Sequence, residues 1–426
     1  MTALIVIILL LVFLGIGMPI YLALGFLALL LFIHEGAPLA SLPQLFANDL
    51  NSITLIAIPF FVMAATFMQR GGIAHALIQV AQAWVGRARG GLAIVCVVAT
   101  TIFAAICGSS VATALAMGSI LVPAMTEKKY EDHFALGVVG ASGTLGILIP
   151  PSLAMIVYAV IADESVPRLF LAGVIPGLIQ ATLFILWIKF YCRWKNYPTE
   201  EAMPRSEFVR VNLNAVPAML IPVIVLGGIY SGWVTITEVA GLAALVAIIV
   251  GLYFYRGVRH GDLLPIFAES MKMTATIVFI ILGALAFGHW ITSAGIADAL
   301  VQWVKANDLK SWQFLLIMNL LMLVLGMFLE VFAIILITMP LVLPLLKALD
   351  ISTVHYAIIL TVNMEIALIS PPIGLNLFVL SAIAKKPIST AIRGILPFII
   401  IMLFLLALIT YVPAISLFLP NLVYGK

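Results

Sequence analysis

The chain has 426 residues, 64% of them hydrophobic and only 9% charged, with a net charge of +3. Soluble domains carry about 25% charged residues, so this composition excludes a soluble fold and makes lipid the solvent. The few charges are spread over loops, which points to no nucleic-acid partner.

In chain order, the first apolar run covers 4–33. It lacks a basic leader and is too long for a signal-peptide core, so it reads as a first span. Further spans fall near 52–69, 133–162, 168–192, 215–230, 237–255, 272–291, 354–384 and 389–412, judged against the roughly 20 apolar residues that cross a bilayer. Residues 73–84 and 296–305 are amphipathic and suit the membrane interface. Two stretches, 91–126 and 312–346, are too long for one span and break near Cys107-Gly-Ser-Ser110 and near Gly326 to Glu330. Residues 193–214 are the longest polar stretch and read as a cytoplasmic linker. Cys96, Cys107 and Cys192 sit in or beside apolar segments without ligand spacing and read as small buried hydrophobes. The six histidines form no metal pattern.

Basic residues in short loops set orientation. If 91–126 and 312–346 are re-entrant hairpins, 14 of the 21 basic residues fall on one side, among them Arg87, Lys128, Arg205 and Lys385. Only five (Arg168, Lys305, Lys310, Lys347 and Lys426) fall on the other. The pattern predicts a cytoplasmic N-terminus and an external C-terminus. It also puts the base of the first hairpin in the cytoplasm and that of the second outside.

Pro150-Pro151 and Pro371-Pro372 stand 221 residues apart, an offset shared by Pro123 and Pro344, Gly173 and Gly394, and Pro176 and Pro397. The expected fold is an all-α polytopic membrane protein with two inverted repeats, each a re-entrant hairpin plus a broken helix. The expected divisions are scaffold spans 1–72 and a first repeat 73–167 with hairpin 91–126 and broken helix 133–162. Scaffold and linker follow at 168–271. A second repeat, 272–388, holds hairpin 312–346 and broken helix 354–384, and a scaffold span, 389–426, ends the chain. Inverted repeats with broken helices mark alternating-access transporters, with the substrate site at the repeat interface.

The polar residues gather at the breaks. In 106–113, Gly108 permits a sharp turn and Ser109, Ser110 and Thr113 supply hydroxyls. A helix restarting there aims free N–H groups and its positive dipole end at an anion. The helix that stops there leaves carbonyls for a hard cation such as sodium. Tandem prolines remove backbone donors, which exposes carbonyls near Ser142, Thr144 and Gly146 in one half and near Asn363, Glu365, Ser370, Pro371 and Asn376 in the other. Glu330 and Glu365 lie deep in apolar sequence, where an acid is a functional candidate for ion or proton coupling. Glu238, near the start of a span, reads as a cap. The cation sites expected from this pattern take Gly108, Ser109, Ser142, Thr144, Gly146, Glu330, Asn363, Glu365, Ser370 and Pro371. The substrate site takes Ser109, Ser110 and Thr113, with Asn376 from the opposing half. No GxxxxGK[ST] loop and no Ser/His/Asp or HExxH constellation is present, which argues against ATP-driven transport by this chain alone, against an enzyme and for no cofactor. A passive ion or anion channel is the alternative, although the chain offers no ring of charge for one.

Several stretches carry a family resemblance: Ile-Pro-Phe-Phe (58–61), Cys-Gly-Ser-Ser-Val-Ala-Thr (107–113), Gly-Ile-Leu-Ile-Pro-Pro-Ser (146–152), Leu-Ala-Gly-Val-Ile-Pro-Gly (171–177), Gly-Gly-Ile-Tyr-Ser-Gly (227–232), Asn-Met-Glu-Ile-Ala-Leu-Ile-Ser-Pro-Pro-Ile-Gly-Leu-Asn-Leu (363–377) and Thr-Tyr-Val-Pro-Ala-Ile-Ser-Leu (410–417). On these the chain resembles the large membrane subunit (M, or DctM-like) of tripartite ATP-independent periplasmic (TRAP) transporters, over essentially its whole length. It departs from C4-dicarboxylate members at Val111, where they have Pro, and at Val331-Phe332-Ala333, where they have Pro-Ser-Ser. The resemblance implies an elevator-type, ion-transporter-like arrangement of transport and scaffold domains. It implies sodium-coupled import of a small organic acid, such as a sugar acid, sialic acid or C4-dicarboxylate, across a bacterial or archaeal inner membrane. The implied partners are a small four-helix membrane subunit and a periplasmic substrate-binding protein.

The hairpin topology predicts one-sided labelling. Cysteine at Lys128 or Arg205 should react only from the cytoplasm, and at Lys305 or Lys347 only from outside. Labelling of positions 89 and 128 from opposite faces would eliminate the first hairpin.

Overall fold

The structure, a computed structural model, describes residues 2–36, 38–197, 199 and 203–425. Lys426 and linker positions 198 and 200–202 lie outside the described residues. The N-terminal region forms α1 (Thr2–Gly15), α2 (Ile20–His34), α3 (Ser41–Leu50) and α4 (Ala57–Arg70). Around the first Pro-Pro pair come α5 (Ile73–Val85), α6 (Gly91–Cys107), α7 (Ser110–Glu127), α8 (Asp132–Leu148) and α9 (Leu153–Ala162). Then follow α10 (Val166–Trp194), α11 (Arg205–Ser231), α12 (Ile236–Ile249) and α13 (Leu263–Ser293). Around the second pair come α14 (Ile296–Ala306), α15 (Ser311–Gly326), α16 (Val331–Ala348), α17 (Thr353–Ile369) and α18 (Leu375–Ala384), and the chain closes with α19 (Ile388–Tyr411) and α20 (Ala414–Tyr424). Among the described residues, nine helical segments are long and apolar enough to cross a membrane. The chain is a multi-pass, all-helical membrane protein.

The 221-residue offset reappears in the helix bounds. Both ends of α7 and α16 (110 and 331, 127 and 348) keep it, as do both ends of α8 and α17 (132 and 353, 148 and 369). The turn residues Lys129 and Asp350, again 221 apart, both take positive φ. In each half the Pro-Pro pair lies between two helices, α8 and α9 or α17 and α18, and both Pro-Pro bonds are cis.

Two helices are apolar on every side and buried on every side. All of 134–148 in α8 and 354–369 in α17 is buried, and the two helices pack on each other. Around them lie α6, α7, α10, α15 and α19. The second arm of each hairpin reaches across, α7 to α18 and α16 to α9. A second group joins α2 to α13, α13 to α4, and α4 to α12, with α11 on α12, and it meets the first where α13 packs on α16 and α4 on α6. α5 lies between the groups, touching both α6 and α11, and α14 packs on α16.

Three expectations change. The span 4–33 is two helices, because Gly17 adopts φ +82 and Pro19 opens α2. At 14 and 15 residues each is only about 21–22 Å long. The linker 193–214 is helical from Arg205 onward. Its Val211, and Ala215 just beyond it, pack with Val80 of α5, and Trp84 Nε1 donates to Asn212 Oδ1 at 2.9 Å. Polar composition marked this segment as a loop, whereas its apolar residues form a stripe that α5 covers. Finally, α10 and α19, assigned by sequence to the scaffold, pack against α8 and α17 and not against α2, α4 or α13. Contact between α8 and α19 depends on small residues. A side chain on Gly394 would fall on the His133 carbonyl, and one on Gly137 on the Gly394 carbonyl. Glu238 does cap its helix, in a capping box with Thr235.

At one end of the body, ion pairs bind its parts together. Lys195 Nζ meets Glu131 Oε1 at 2.9 Å and Lys386 Nζ meets Asp132 Oδ2 at 2.7 Å. Tyr191 donates to Glu131 at 2.7 Å, and this bond, followed by that from Lys195, holds the Glu131 carboxyl below the ordinary range.

The glycine crossing predicts a specific sensitivity. Gly394→Val should lower the melting temperature of purified protein, since overpacking a close contact costs about 1–3 kcal/mol. Gly241→Val on α12, where an added carbon meets nothing within 4 Å, should be nearly neutral. Equal effects of the two would refute the crossing.

Candidate functional site

The first break arises where α6 can no longer continue. Gly108 takes φ +64, a left-handed conformation that a side chain strains. A carbon added there would also stand 2.7 Å from the Pro151 carbonyl oxygen. Leu153, at the start of α9, donates its N–H to the Gly108 carbonyl at 3.4 Å. The chain restarts as α7 with Ser109 as N-cap, its Oγ accepting from the Ala112 N–H at 3.5 Å. On the α8 side, a carbon on Gly146 would lie 2.7 Å from the Ser109 carbonyl and 2.8 Å from Thr113 Oγ1. The hairpin tip and the broken helix therefore meet backbone to backbone, with Gly108, Ser109, Thr113 and Gly146 at the contact.

The second tip is built differently. α15 ends at Gly326, where an added carbon would fall on Ala367 of α17. Leu329 stands at the position equivalent to Gly108. Glu330 precedes α16 in extended backbone and makes no side-chain capping bond. Near the break, Ser370 Oγ donates to the Ile366 carbonyl at 2.7 Å and the Gly374 N–H donates to the Ser370 carbonyl at 3.0 Å.

Both tips face one cavity of about 410 Å³. Gly108, Ser109 and Ser110 line it from one side and Glu330, Val331 and Phe332 from the other, with Thr66 and Gln69 of α4 and Glu269 and Thr276 of α13 opposite them. Gln69 Nε2 donates to the Ala112 carbonyl at 3.3 Å, a direct link between α4 and the first tip. Glu269 is paired with Arg70 at 2.6 Å. The first turn of α7 has N–H groups without intrahelical acceptors, and its dipole favours an anion.

The sequence-predicted substrate residues divide into two pairs. Ser109 and Ser110 line the cavity, whereas Thr113 and Asn376 are fully buried behind it. Asn376 Nδ2 donates to Ser110 Oγ at 2.8 Å and so joins the two halves of the chain. Thr113 Oγ1 and Asn376 Oδ1 have no hydrogen-bond partner.

The predicted cation residues do not form one set. Gly108, Ser109 and Gly146 meet at the first tip, and Glu330 borders the cavity. Asn363 turns toward α15, donating to Asn319 Oδ1 at 2.7 Å. Asn319 in turn donates to Thr410 Oγ1 of α19 at 3.0 Å. Ser142 is fully buried beside Cys96. Thr144 and Glu365, equivalent under the 221-residue offset, come together with Gln180 of α10, away from the cavity. Ser370 and Pro371 stay at the second break. Sequence reading passed over Thr66, Gln69, Gln180, Glu269 and Thr276. Gln180 had a signal, a lone amide in the middle of a long apolar helix. The frame residues had little, because each lies near the end of a span where polar side chains are ordinary.

The family described as "Tripartite ATP-independent periplasmic transporter, DctM component" matches residues 7–415. A relative from Pseudomonas aeruginosa, the C4-dicarboxylate TRAP transporter large permease protein DctM, is 43% identical over 93% of this chain and 92% of its own. The isethionate TRAP transporter permease protein DctMQ of Oleidesulfovibrio alaskensis is 35% identical over 95% of this chain, which spans 64% of the relative. Among solved structures, the Alcanivorax borkumensis YdaH transporter shares the fold at TM-score 0.64 and 14% identity, over 88% of this chain and 87% of that one.

The tip geometry generates an asymmetric mutational expectation. Gly108→Val should abolish most uptake into proteoliposomes, because it adds left-handed strain of about 1–2 kcal/mol to a clash with the Pro151 carbonyl. Ser109→Ala should lose only the capping bond, worth about 1 kcal/mol. Normal uptake by Gly108→Val would show that the tip does not need this close approach.

Proposed function

This chain belongs to the DctM component family of tripartite ATP-independent periplasmic transporters, and from that premise we propose that it imports a small organic acid by sodium-coupled alternating access. The observation that carries the proposal is the cavity shared by the two tips. It joins the N-terminal end of α7, the Ser109 and Ser110 hydroxyls and a wall on α4 and α13 that sets Thr66, Gln69, Glu269 and Thr276 among apolar side chains. The acid's carboxylate sits at the start of α7 with Ser109 and Ser110, while Asn376 holds the Ser110 hydroxyl from behind and Thr113 is buried nearby. Relatives named for C4-dicarboxylate and isethionate, both small anions, support an anionic substrate.

Sodium occupies carbonyl-rich sites at the tips, one at Gly108, Ser109 and Gly146 with Ser142 nearby. The other lies at the second tip and break, with Glu330, Ser370 and Pro371. Oxygen ligands of this kind suit a hard cation. Each hairpin enters from its own side of an inner membrane, which makes the repeats inverted, with the N-terminus cytoplasmic and the C-terminus periplasmic. The moving body comprises α6–α10 and α15–α20, and it meets the frame chiefly where α16 packs on α13. α2, α4 and α11–α13 are the frame against which it slides. A small membrane subunit clasps that frame, and a periplasmic binding protein delivers the substrate. The relative named DctMQ, which extends well beyond the match, supports a second membrane component.

The link between Gln69 and Ala112 supplies the test. Paired cysteines at these positions, once crosslinked, should stop uptake of a labelled dicarboxylate, and reduction should restore it. Removal of sodium should abolish uptake by the uncrosslinked protein. A crosslinked variant that transports at the normal rate would rule out sliding, and preference for a neutral sugar over any acid would rule out the carboxylate.

A further inference from the structure

Away from the cavity, three helices bring polar side chains together in a fully buried place. Glu365 of α17, Gln180 of α10 and Thr144 of α8 are each 0% exposed. Gln180 Nε2 donates to Thr144 Oγ1 at 3.1 Å, and Thr144 Oγ1 donates to the Ala141 carbonyl at 2.8 Å. The Glu365 carboxyl lies within weak hydrogen-bonding reach of the Gln180 amide and the Thr144 hydroxyl, but neither approaches it at ordinary hydrogen-bond geometry. Both Glu365 oxygens and Gln180 Oε1 are without a partner.

Buried polar atoms of this kind are nearly always satisfied, and a buried carboxylate is costly unless paired or bound to a metal ion. Among the described residues, no salt bridge supplies Glu365 with a protein cation. The basic residues of the helices packed on α17 lie far along their axes. Lys189 is nine positions from Gln180 and Arg168 twelve, about 14 and 18 Å at helical rise. His133 is eleven positions from Thr144, about 16 Å. Lys347 and Arg393 lie toward the ends of α16 and α19, and α15, α18 and α20 contain no Lys or Arg.

We propose that Glu365, Gln180 and Thr144 form a third monovalent-cation site, separate from both hairpin tips, at the crossing of α8, α10 and α17. The inference rests on the sodium-coupled reading above and adds to it a site and a ligand, Gln180. All the available donors of electron pairs are oxygens: two from the carboxylate, one amide carbonyl and one hydroxyl. Oxygen sets select hard cations over the softer metals that imidazole and thiolate hold. A single carboxylate balances one positive charge, and among the described residues no group of three or more His, Cys, Asp or Glu side chains stands ready for a higher one. The site also has a structural consequence. The cation would tie both broken helices to α10 and so add to the packing that already joins the two halves.

The test uses purified full-length protein in nanodiscs and in proteoliposomes, with sodium chloride as the probe and choline chloride as control. Sodium should raise the melting temperature of the wild type. Glu365→Gln, which keeps size and shape, and Gln180→Leu should each shift the half-saturating sodium concentration upward. The shift should be at least the roughly 10–100-fold that follows loss of a metal ligand's supporting hydrogen bond. Each should also lower the Hill coefficient of sodium-driven uptake by about one site. A sodium response in both variants identical to the wild type's would overturn the proposal. So would a Glu365→Gln variant whose sodium response is intact but whose uptake no longer varies with pH, which would assign the carboxyl to a proton. Should Glu365→Gln fail to fold, Gln180→Leu and Thr144→Val give the same readings. A wild type indifferent to sodium would remove the coupled reading itself, a result seen before any substitution is made.

Discussion

A broken helix inside a bilayer has nowhere to send its free backbone groups except to other protein, and the architecture follows from that. The two helix-to-helix tips and the two Pro-Pro breaks leave carbonyls and N–H groups inside the fold. In the first half the hairpin tip and the break satisfy each other. The Gly108 carbonyl accepts from Leu153, and the Ser109 carbonyl lies against Gly146. Glycine is needed at 108 and 146 because a side chain on either would separate the two backbones. The all-round burial of α8 and α17 is the same constraint seen from further out, since the breaks survive only when enclosed.

The two halves reuse one plan without copying its chemistry. At equivalent positions, Gly108 is replaced by Leu329, Ser109 by Glu330, Ser142 by Asn363, Thr144 by Glu365 and Gly146 by Ala367. The first tip is small and hydroxyl-rich and permits close backbone approach. The second puts a carboxylate at the cavity and encloses it with Val331 and Phe332. Acidic groups thus fall in the second half and the anion-favouring helix start in the first. That division gives a shared cavity two unlike walls.

The cross-packing of α7 on α18 and of α16 on α9 couples these walls. Asn376 reaches from the second half to Ser110 in the first, so neither tip is held by its own repeat alone. α4 meets the first tip through the Gln69 to Ala112 bond, whereas α13 packs closely on α16, the helix that starts at the second.

Composition and apolar run length determined the membrane class, and Gly108 and the two Pro-Pro pairs marked helix breaks that the fold keeps. These follow from local rules: lipid demands apolar length, proline removes a donor and glycine permits a turn. The same rules placed Gly108, Ser109, Ser110 and Glu330 at tips that do line the cavity. Which buried polar residues share a site was decided only by tertiary packing. Thr144 and Glu365 read as members of the break clusters, yet helix rotation turns them toward Gln180 and turns Asn363 toward Asn319. Polar character likewise marked 205–214 as linker, although its buried stripe is visible only against α5. The grouping of α10 and α19 with the broken helices was hidden for a related reason. A membrane span is apolar whichever neighbour it packs on, so lipid-driven sequence patterns record the bilayer and leave the choice of partner to shape.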